Sequence, residues 1–456
     1  MLRGARSNSA GRAAALALVV LLTFLSAQAA ERGSLRTETL PWLPRTACPL
    51  CAEFLNKAWQ EPAAPAASRI PTAQEIDSVL RELSAVTGFR IRRQLPFELI
   101  TRDQVNKYLK EQIRQSVKPD EIRAQEVTLK KFGFAPADFD LKQTTIDLLT
   151  EQAAAFYDFH RKKLFISDWA TVNMRDAALI HELAHALADQ NFPIQKYLSK
   201  GASDSEASMA REAVVEGQAS WLMLEVTARR SGRTLAEPET ARELMATDSD
   251  ASDSSYPVFN KAPLYLRRTL LFPYDDGERF QQALFLHDGK PAFARVFRQA
   301  PVSTAQIMHP DRYFSGDAPT NPDLPKPLKH ARPFVEGSLG ELETRILLEQ
   351  YGSVGLADAL GPKLKGSDYR VDEVKADHRM MLVYLSDWSD EDSAARYFDA
   401  YQKVLQAKWK QIEVSVQDAA RFSGKSEDGY FMVVRDGVRI LSQEGFAQPP
   451  QTPATP

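Results

Sequence analysis

The sequence predicts an α+β protein: a mainly helical unit with a short β-hairpin beside one of its helices, followed by a small α+β unit. Three patterns carry this expectation. Apolar residues recur at helical spacing through Ile76, Val79, Leu80, Leu83 and Val86, and again through Ala177, Ile180, Ala184 and Leu187. The period changes to two between Ala155 and Ser167, where a polar turn at Arg161 and Lys162 separates two short strands. Beyond Pro333, shorter helices and strands mix in the manner of a separate unit. With 456 residues and 44% apolar content, the chain has room for two or three cores.

The N-terminus reads as an export signal. Arg3, Arg6 and Arg12 precede an apolar run from Ala13 to Leu25, and Ala27, Gln28 and Ala29 form a small-residue cleavage site. Residues 1–29 are therefore expected to be removed, leaving a periplasmic or secreted product. That run falls short of the roughly 20 residues that cross a bilayer, and no other run reaches that length, so no membrane span is expected in the mature chain. Residues 30–71 form a Pro/Ala-rich lead-in that carries Cys48 and Cys51, the only two cysteines. In an oxidising compartment this C-x-x-C closes a small local disulfide with little stabilising effect. A zinc knuckle would need two more ligands nearby, and a thioredoxin-like motif would need a preceding strand; the sequence offers neither. A formal charge of −3 without a basic stripe argues against nucleic acid as a partner.

Residues 72–332 are expected to form the larger unit. Thr72 caps its first helix. Leu95 to Ile100 reads as a strand that Pro96 confines to a sheet edge, and Thr101, Asp103 and Gln104 start a helix through Ile113. Another helix runs from Leu141 to Ala155. After the hairpin, Asn173 caps a helix to Gln190, with Asp176 favouring its positive dipole end and Asn191, Phe192 and Pro193 ending it. A further helix spans Ser208 to Arg229. Thr247 to Tyr256 is an acidic surface loop whose Asp248, Asp250 and Asp253 lack the glycine and glutamate of a calcium loop. In residues 333–446, helices are expected at Gly340–Gln350 and Asp390–Ala407 and strands at Met380–Leu385 and Ile412–Val416. A hairpin joins Tyr430–Val434 to Val438–Leu441 across Arg435, Asp436 and Gly437. Residues 447–456 form a Pro-rich disordered tail. No repeat, phosphate-binding glycine loop or G-x-S-x-G serine motif is present.

The chemistry concentrates at His181, Glu182, Leu183, Ala184 and His185, which read H-E-x-x-H. Helical residues four apart share a face, so both imidazoles can reach one cation, while Glu182 lies beside it and can hold a water. Catalytic zinc takes three protein ligands and a water. The same helix offers no third ligand, since Asp189 sits too far along the axis. Glu216, among apolar residues on the next helix, is the stronger candidate, and Gly217 beside it lets two helices approach closely. Glu212, one turn earlier, is the competitor, as ligand or as acceptor for an imidazole N–H. Amide hydrolysis also needs an oxyanion donor: His309, Arg312 or Tyr313 could supply it if Pro301–Tyr313 folds over the cleft, with Tyr157 as a rival. The strand Phe165–Ser167 could pair with an extended peptide, or simply cover the helix as an ordinary hairpin.

The pair HELAH and VEGQA resembles the gluzincin metallopeptidases. More specifically, HELAHALADQ, VEGQA, the FPYDDG run at Phe272–Gly277 and PVSTAQIMHP at Pro301–Pro310 resemble a poorly characterised group of exported bacterial proteins regarded as metallopeptidases, over roughly residues 70 to 440. The resemblance implies a zincin-like domain, one zinc ion held by His181, His185 and Glu216, and Glu182 as the catalytic residue. It loosens at GPKLKGSDY, Gly361–Tyr369, where the group has a tryptophan- and glycine-rich run.

The function expected from these residues is an exported zinc metallopeptidase acting on a peptide or protein substrate, with Glu182 as general base. The rival is a catalytically inactive zinc-binding module that acts through protein–protein contacts of the C-terminal unit. A third reading is a peptidase whose cleft stays covered until a partner or a cut opens it.

Overall fold

The computed structural model describes residues 71–101, 103–104, 107–108, 119–152, 155–167, 172–201, 204–245 and 257–450. The expected leader, the lead-in with Cys48 and Cys51, the acidic stretch Thr247–Tyr256 and the tail beyond Pro450 lie outside these residues, as does most of the helix expected from Thr101 to Ile113. The fold is mixed α+β.

Helix α1 (Ala73–Thr87) opens with a reciprocal cap, in which Thr72 Oγ1 accepts from Glu75 N and Glu75 Oε2 accepts from Thr72 N. Its expected stripe, Ile76 to Val86, is buried. Strand β1 (Phe97–Ile100) lies at a sheet edge, as Pro96 requires. Helices α2 (Pro119–Phe132) and α3 (Leu141–Gln152) follow, then the expected hairpin, β2 (Ala155–Asp158) and β3 (Lys163–Ser167). Helix α4 (Val172–Asn191) carries H-E-x-x-H and begins one residue before Asn173, the residue expected to cap it. Helix α5 (Ser205–Arg230) starts earlier than the apolar pattern indicates, because Asp204 accepts from Glu206 N and Ala207 N and so caps it. Helix α6 (Leu264–Asp288) contains the FPYDDG run.

The C-terminal part comprises β4 (Ala331–Gly337), α7 (Glu341–Tyr351), α8 (Val354–Leu360), β5 (Leu364–Val374), β6 (Met380–Trp388), α9 (Glu391–Lys408) and strands β7 (Ile412–Gln417), β8 (Arg421–Ser426), β9 (Gly429–Asp436) and β10 (Arg439–Phe446). Its seven strands form one antiparallel sheet in the order β4-β5-β6-β10-β9-β8-β7. The hairpin turn falls at Gly437 and Val438, one residue later than expected, with Gly437 at φ 56. A single apolar cluster takes in residues of both parts. Phe132 of α2 meets Tyr369 of β5 and Tyr384 of β6 edge-on at 5.1 and 5.3 Å between ring centres.

Two contacts fix α5, the helix on which the functional site depends. The close approach expected of Gly217 is made to α6, not to α4. A Cβ on Gly217 would lie 2.0 Å from the Gly277 carbonyl carbon, and one on Gly277 would lie 2.2 Å from Ala213 O. Backbone meets backbone there, and no rotamer change can relieve an added methyl. At the other end, α7 docks on α5 through two buried acids. Glu206 Oε2 accepts from Thr304 N at 3.0 Å and Thr304 Oγ1 at 2.9 Å, and Glu343 accepts from Gly340 N at 3.0 Å. Burial pushes both acids above the usual carboxylate range, with the nearby Glu343 adding to the rise in Glu206. One of them therefore keeps its proton near neutrality.

Gly217→Ala is expected to cost about 3 kcal/mol in urea unfolding, because overpacking against backbone cannot relax. Gly355→Ala, in α8 with nothing within 4 Å, should be neutral or stabilising by roughly 0.5 kcal/mol. The raised acids carry a pH signature. Their stability is fully present below the ordinary carboxyl value of 4.5 and is lost as pH rises through the raised folded value. Glu343→Gln, which needs no proton, should narrow the Tm difference between about pH 5 and about pH 8.

Candidate metal centre

The H-E-x-x-H residues fall in the middle of α4, where the four-residue spacing puts both imidazoles on the face toward α5. Their Nε2 atoms stand 3.1 Å apart, with the rings nearly perpendicular. Glu216 of α5 places Oε2 at 3.2 Å from His181 Nε2 and 3.3 Å from His185 Nε2. The three atoms thus form a nearly equilateral triangle. Ligands of a tetrahedral ion at 2.0–2.1 Å stand about 3.3 Å apart, so the triangle matches one face of such a coordination shell. With the histidines neutral and their protons on Nδ1, both Nε2 atoms and the carboxylate oxygen are acceptors, and their convergence is then repulsive unless a proton or a cation sits among them. Burial lowers the His181 pKa and so favours the neutral, ligating form, although its bond to Glu216 opposes this. Burial alone would raise Glu216, but His185 and His181 together outweigh it and hold the carboxyl well below its ordinary range. The donor set therefore fits a divalent cation.

His181, Glu182 and His185 also bring one ligand atom each within 4.8 Å of one another, so this buried group could bind a metal ion. Glu182 is held differently from Glu216. Its Oε2 accepts the Tyr157 main-chain N–H at 2.7 Å, and burial pushes its carboxyl up to about 8. Of the two acids, Glu216 is the one whose oxygen touches both imidazoles. Glu212 lies one turn earlier on α5 and is buried.

Two aromatic rings wall the site. Phe159, in the turn after β2, meets His185 edge-on at 5.8 Å, and Tyr274 of α6 stacks on His181 at 6.1 Å. The four polar residues are nearly inaccessible, at 4% for His181, Glu182 and His185 and 1% for Glu216. An open groove between Phe134, Leu264, Met380 and Trp409 lies elsewhere.

The residues weighed as oxyanion donors are engaged away from the imidazoles. His309 Nε2 pairs with Glu341 Oε1 at 2.8 Å, and Arg312 binds Glu341 Oε2 at 3.3 Å and the Pro362 carbonyl at 2.6 Å. Tyr313 donates its hydroxyl to Gln299 O. Pro301–Tyr313 folds against α7, where the buried acid Glu341 takes the Arg312 guanidinium and the His309 ring as its partners. Tyr157 does reach the site, but through its main chain; its hydroxyl donates to Asp189. Strand β3 cannot take an extended peptide, since it is the central strand, paired with β1 from Leu164 to Ser167 and with β2 from Lys163 to Ile166. Sequence reasoning missed Tyr274, although FPYDDG had been singled out, and missed the anchoring role of Asp189, which is too distant to be a ligand yet within reach of Tyr157.

Comparison of the chain with protein-family models, curated proteins and solved structures finds no match.

Calorimetry on the metal-free protein is expected to show one tight divalent site. His185→Ala should abolish it. Glu216→Ala should weaken it well beyond the roughly 10- to 100-fold typical of losing an outer partner, the most that Glu212→Ala should cost.

Proposed function

We propose that the protein is an exported, zinc-dependent metallopeptidase with a zincin-like catalytic unit, acting on a peptide or protein substrate. The observation that carries this reading is the buried triangle of His181 Nε2, His185 Nε2 and Glu216 Oε2 with a fourth polar residue, Glu182, beside it. Two imidazoles and a carboxylate form the usual donor set of a hydrolytic zinc site that keeps one position open. Zinc bound there would supply Lewis acidity, acidifying water and polarising a peptide carbonyl. Within this reading His181 and His185 are neutral, Glu216 is ionised, and the pair of helices α4 and α5 holds all three rigidly. Glu182 takes a proton from the attacking water and returns it to the leaving amine. Its low-polarity surroundings raise its basicity, which suits that exchange.

The near-complete burial of these four residues favours one further reading of the same chemistry, a cleft that opens only after a partner binds or the chain is cut. Activity that appears only after limited proteolysis supports it, and equal activity before and after contradicts it. No described helix is long and apolar enough to cross a membrane.

Glu182→Gln separates a peptidase from an inactive zinc-binding module. The variant should keep its metal and lose cleavage of an unstructured protein by about 10²- to 10⁴-fold, the usual effect of removing a general base. Equal inertness of wild type and variant across a broad peptide library favours the module.

A further inference from the structure

We propose that Lys162 and Asp189 are positioning residues that clamp β2 onto α4, so that the Tyr157 main-chain N–H holds the Glu182 carboxylate in one orientation. What Glu182 does rests on the peptidase reading above; how it is held rests on geometry.

Strand β2 is four residues long and, among the described residues, lies at a sheet edge and pairs on one side only, with β3. Its placement on α4 must therefore come from other contacts. Tyr157 N donates to Glu182 Oε2 at 2.7 Å, and Phe159, two residues on, meets His185 edge-on. The anchor of this strand is Asp189, one helical turn beyond His185 on α4. Its Oδ2 accepts the Tyr157 hydroxyl at 2.9 Å, and both its oxygens accept Lys162 Nζ, at 2.9 and 2.7 Å. Asp189 is fully buried at its side chain while Lys162 is about one-third exposed. The Ile194 N–H completes its shell at 3.4 Å. Burial, with Asp189 beside it, pushes the Tyr157 phenol up, so the hydroxyl stays a donor.

The backbone points the same way. Lys162 sits at φ 54, in the left-handed region that a residue with a Cβ rarely adopts. Asp158 Oδ1 shapes the turn by accepting from His160 N and Arg161 N, and this aims the Lys162 side chain back at α4. A glycine would suit that backbone better, and the lysine is explained by what its ammonium reaches. The clamp therefore grips β2 at Tyr157 and the following turn at Lys162, on either side of Phe159. The N–H that Tyr157 offers to Glu182 belongs to one of the two gripped residues.

A merely structural ion pair would change stability alone, so the test reads orientation. Lys162→Gly removes the cation while suiting the backbone, which protects the fold; Asp189→Asn weakens the anchor itself; Lys162→Arg keeps the charge. Exchange of the Tyr157 amide hydrogen is followed by NMR in the metal-free protein, and kcat and KM are measured on an unstructured protein substrate with the zinc-loaded protein. Lys162→Gly and Asp189→Asn should speed Tyr157 exchange by about tenfold or more and lower kcat by about ten- to a hundredfold, with KM and zinc content unchanged. Lys162→Arg should restore both. Unchanged Tyr157 exchange in both variants, or a loss carried by KM, overturns the proposal. A wild type that cleaves nothing while the exchange response is intact overturns the peptidase reading alone.

Discussion

With the imidazole protons on Nδ1, three lone-pair-bearing atoms, His181 Nε2, His185 Nε2 and Glu216 Oε2, converge to within 3.3 Å of one another where water hardly reaches. In a medium of low polarity such a meeting is costly, and the packing around it has to hold the atoms together against their repulsion. A shared proton or a cation relieves the conflict, and a cation relieves it for all three at once. The rest of the molecule can be understood as the means of keeping this point from relaxing. Helix α4 supplies two of the atoms by spacing alone; the third depends on where α5 lies.

Helix α5 has little freedom. Gly217 and Gly277 bring its backbone directly against α6, which also delivers Tyr274 to the face of His181. At the N-terminal end of α5, Glu206 meets Thr304 and Glu343, so the C-terminal part of the chain is fastened to the same helix that carries Glu216. Glu341, beside that junction, gathers His309, Arg312 and Arg345. These contacts make a structural knot. Their engagement explains why the PVSTAQIMHP stretch belongs to the scaffold of the site more than to its chemistry.

Much of this was legible in the sequence because it depends on local rules. Thr72 announces a helix start, the apolar stripe of α1 its buried face, and the change of period at Ala155 the hairpin. The H-E-x-x-H spacing fixes its own geometry once the segment is helical. What stayed hidden is non-local. Strand β5 escaped notice because Arg370, Asp372 and Glu373 interrupt its apolar pattern, yet all three are buried; Arg370 pairs with Asp372, and Glu373 with Arg332 and His378. Strand β4 carries a proline, a glycine and charges, and β8 a glycine and charges, and these weaken the same signal. That Gly217 faces α6 instead of α4, and that Asp189 reaches across to Tyr157, depends on which elements become neighbours, and spacing along one helix does not encode that.

In the function proposed above, one ion is held by two imidazoles and one carboxylate. An X-ray absorption spectrum at the zinc edge, taken on the reconstituted protein, tests it most directly. A low-coordinate site with two histidine nitrogens and carboxylate oxygen at about 2.0–2.1 Å is expected. A shell of oxygens only, without the outer scattering of imidazole rings, would contradict it.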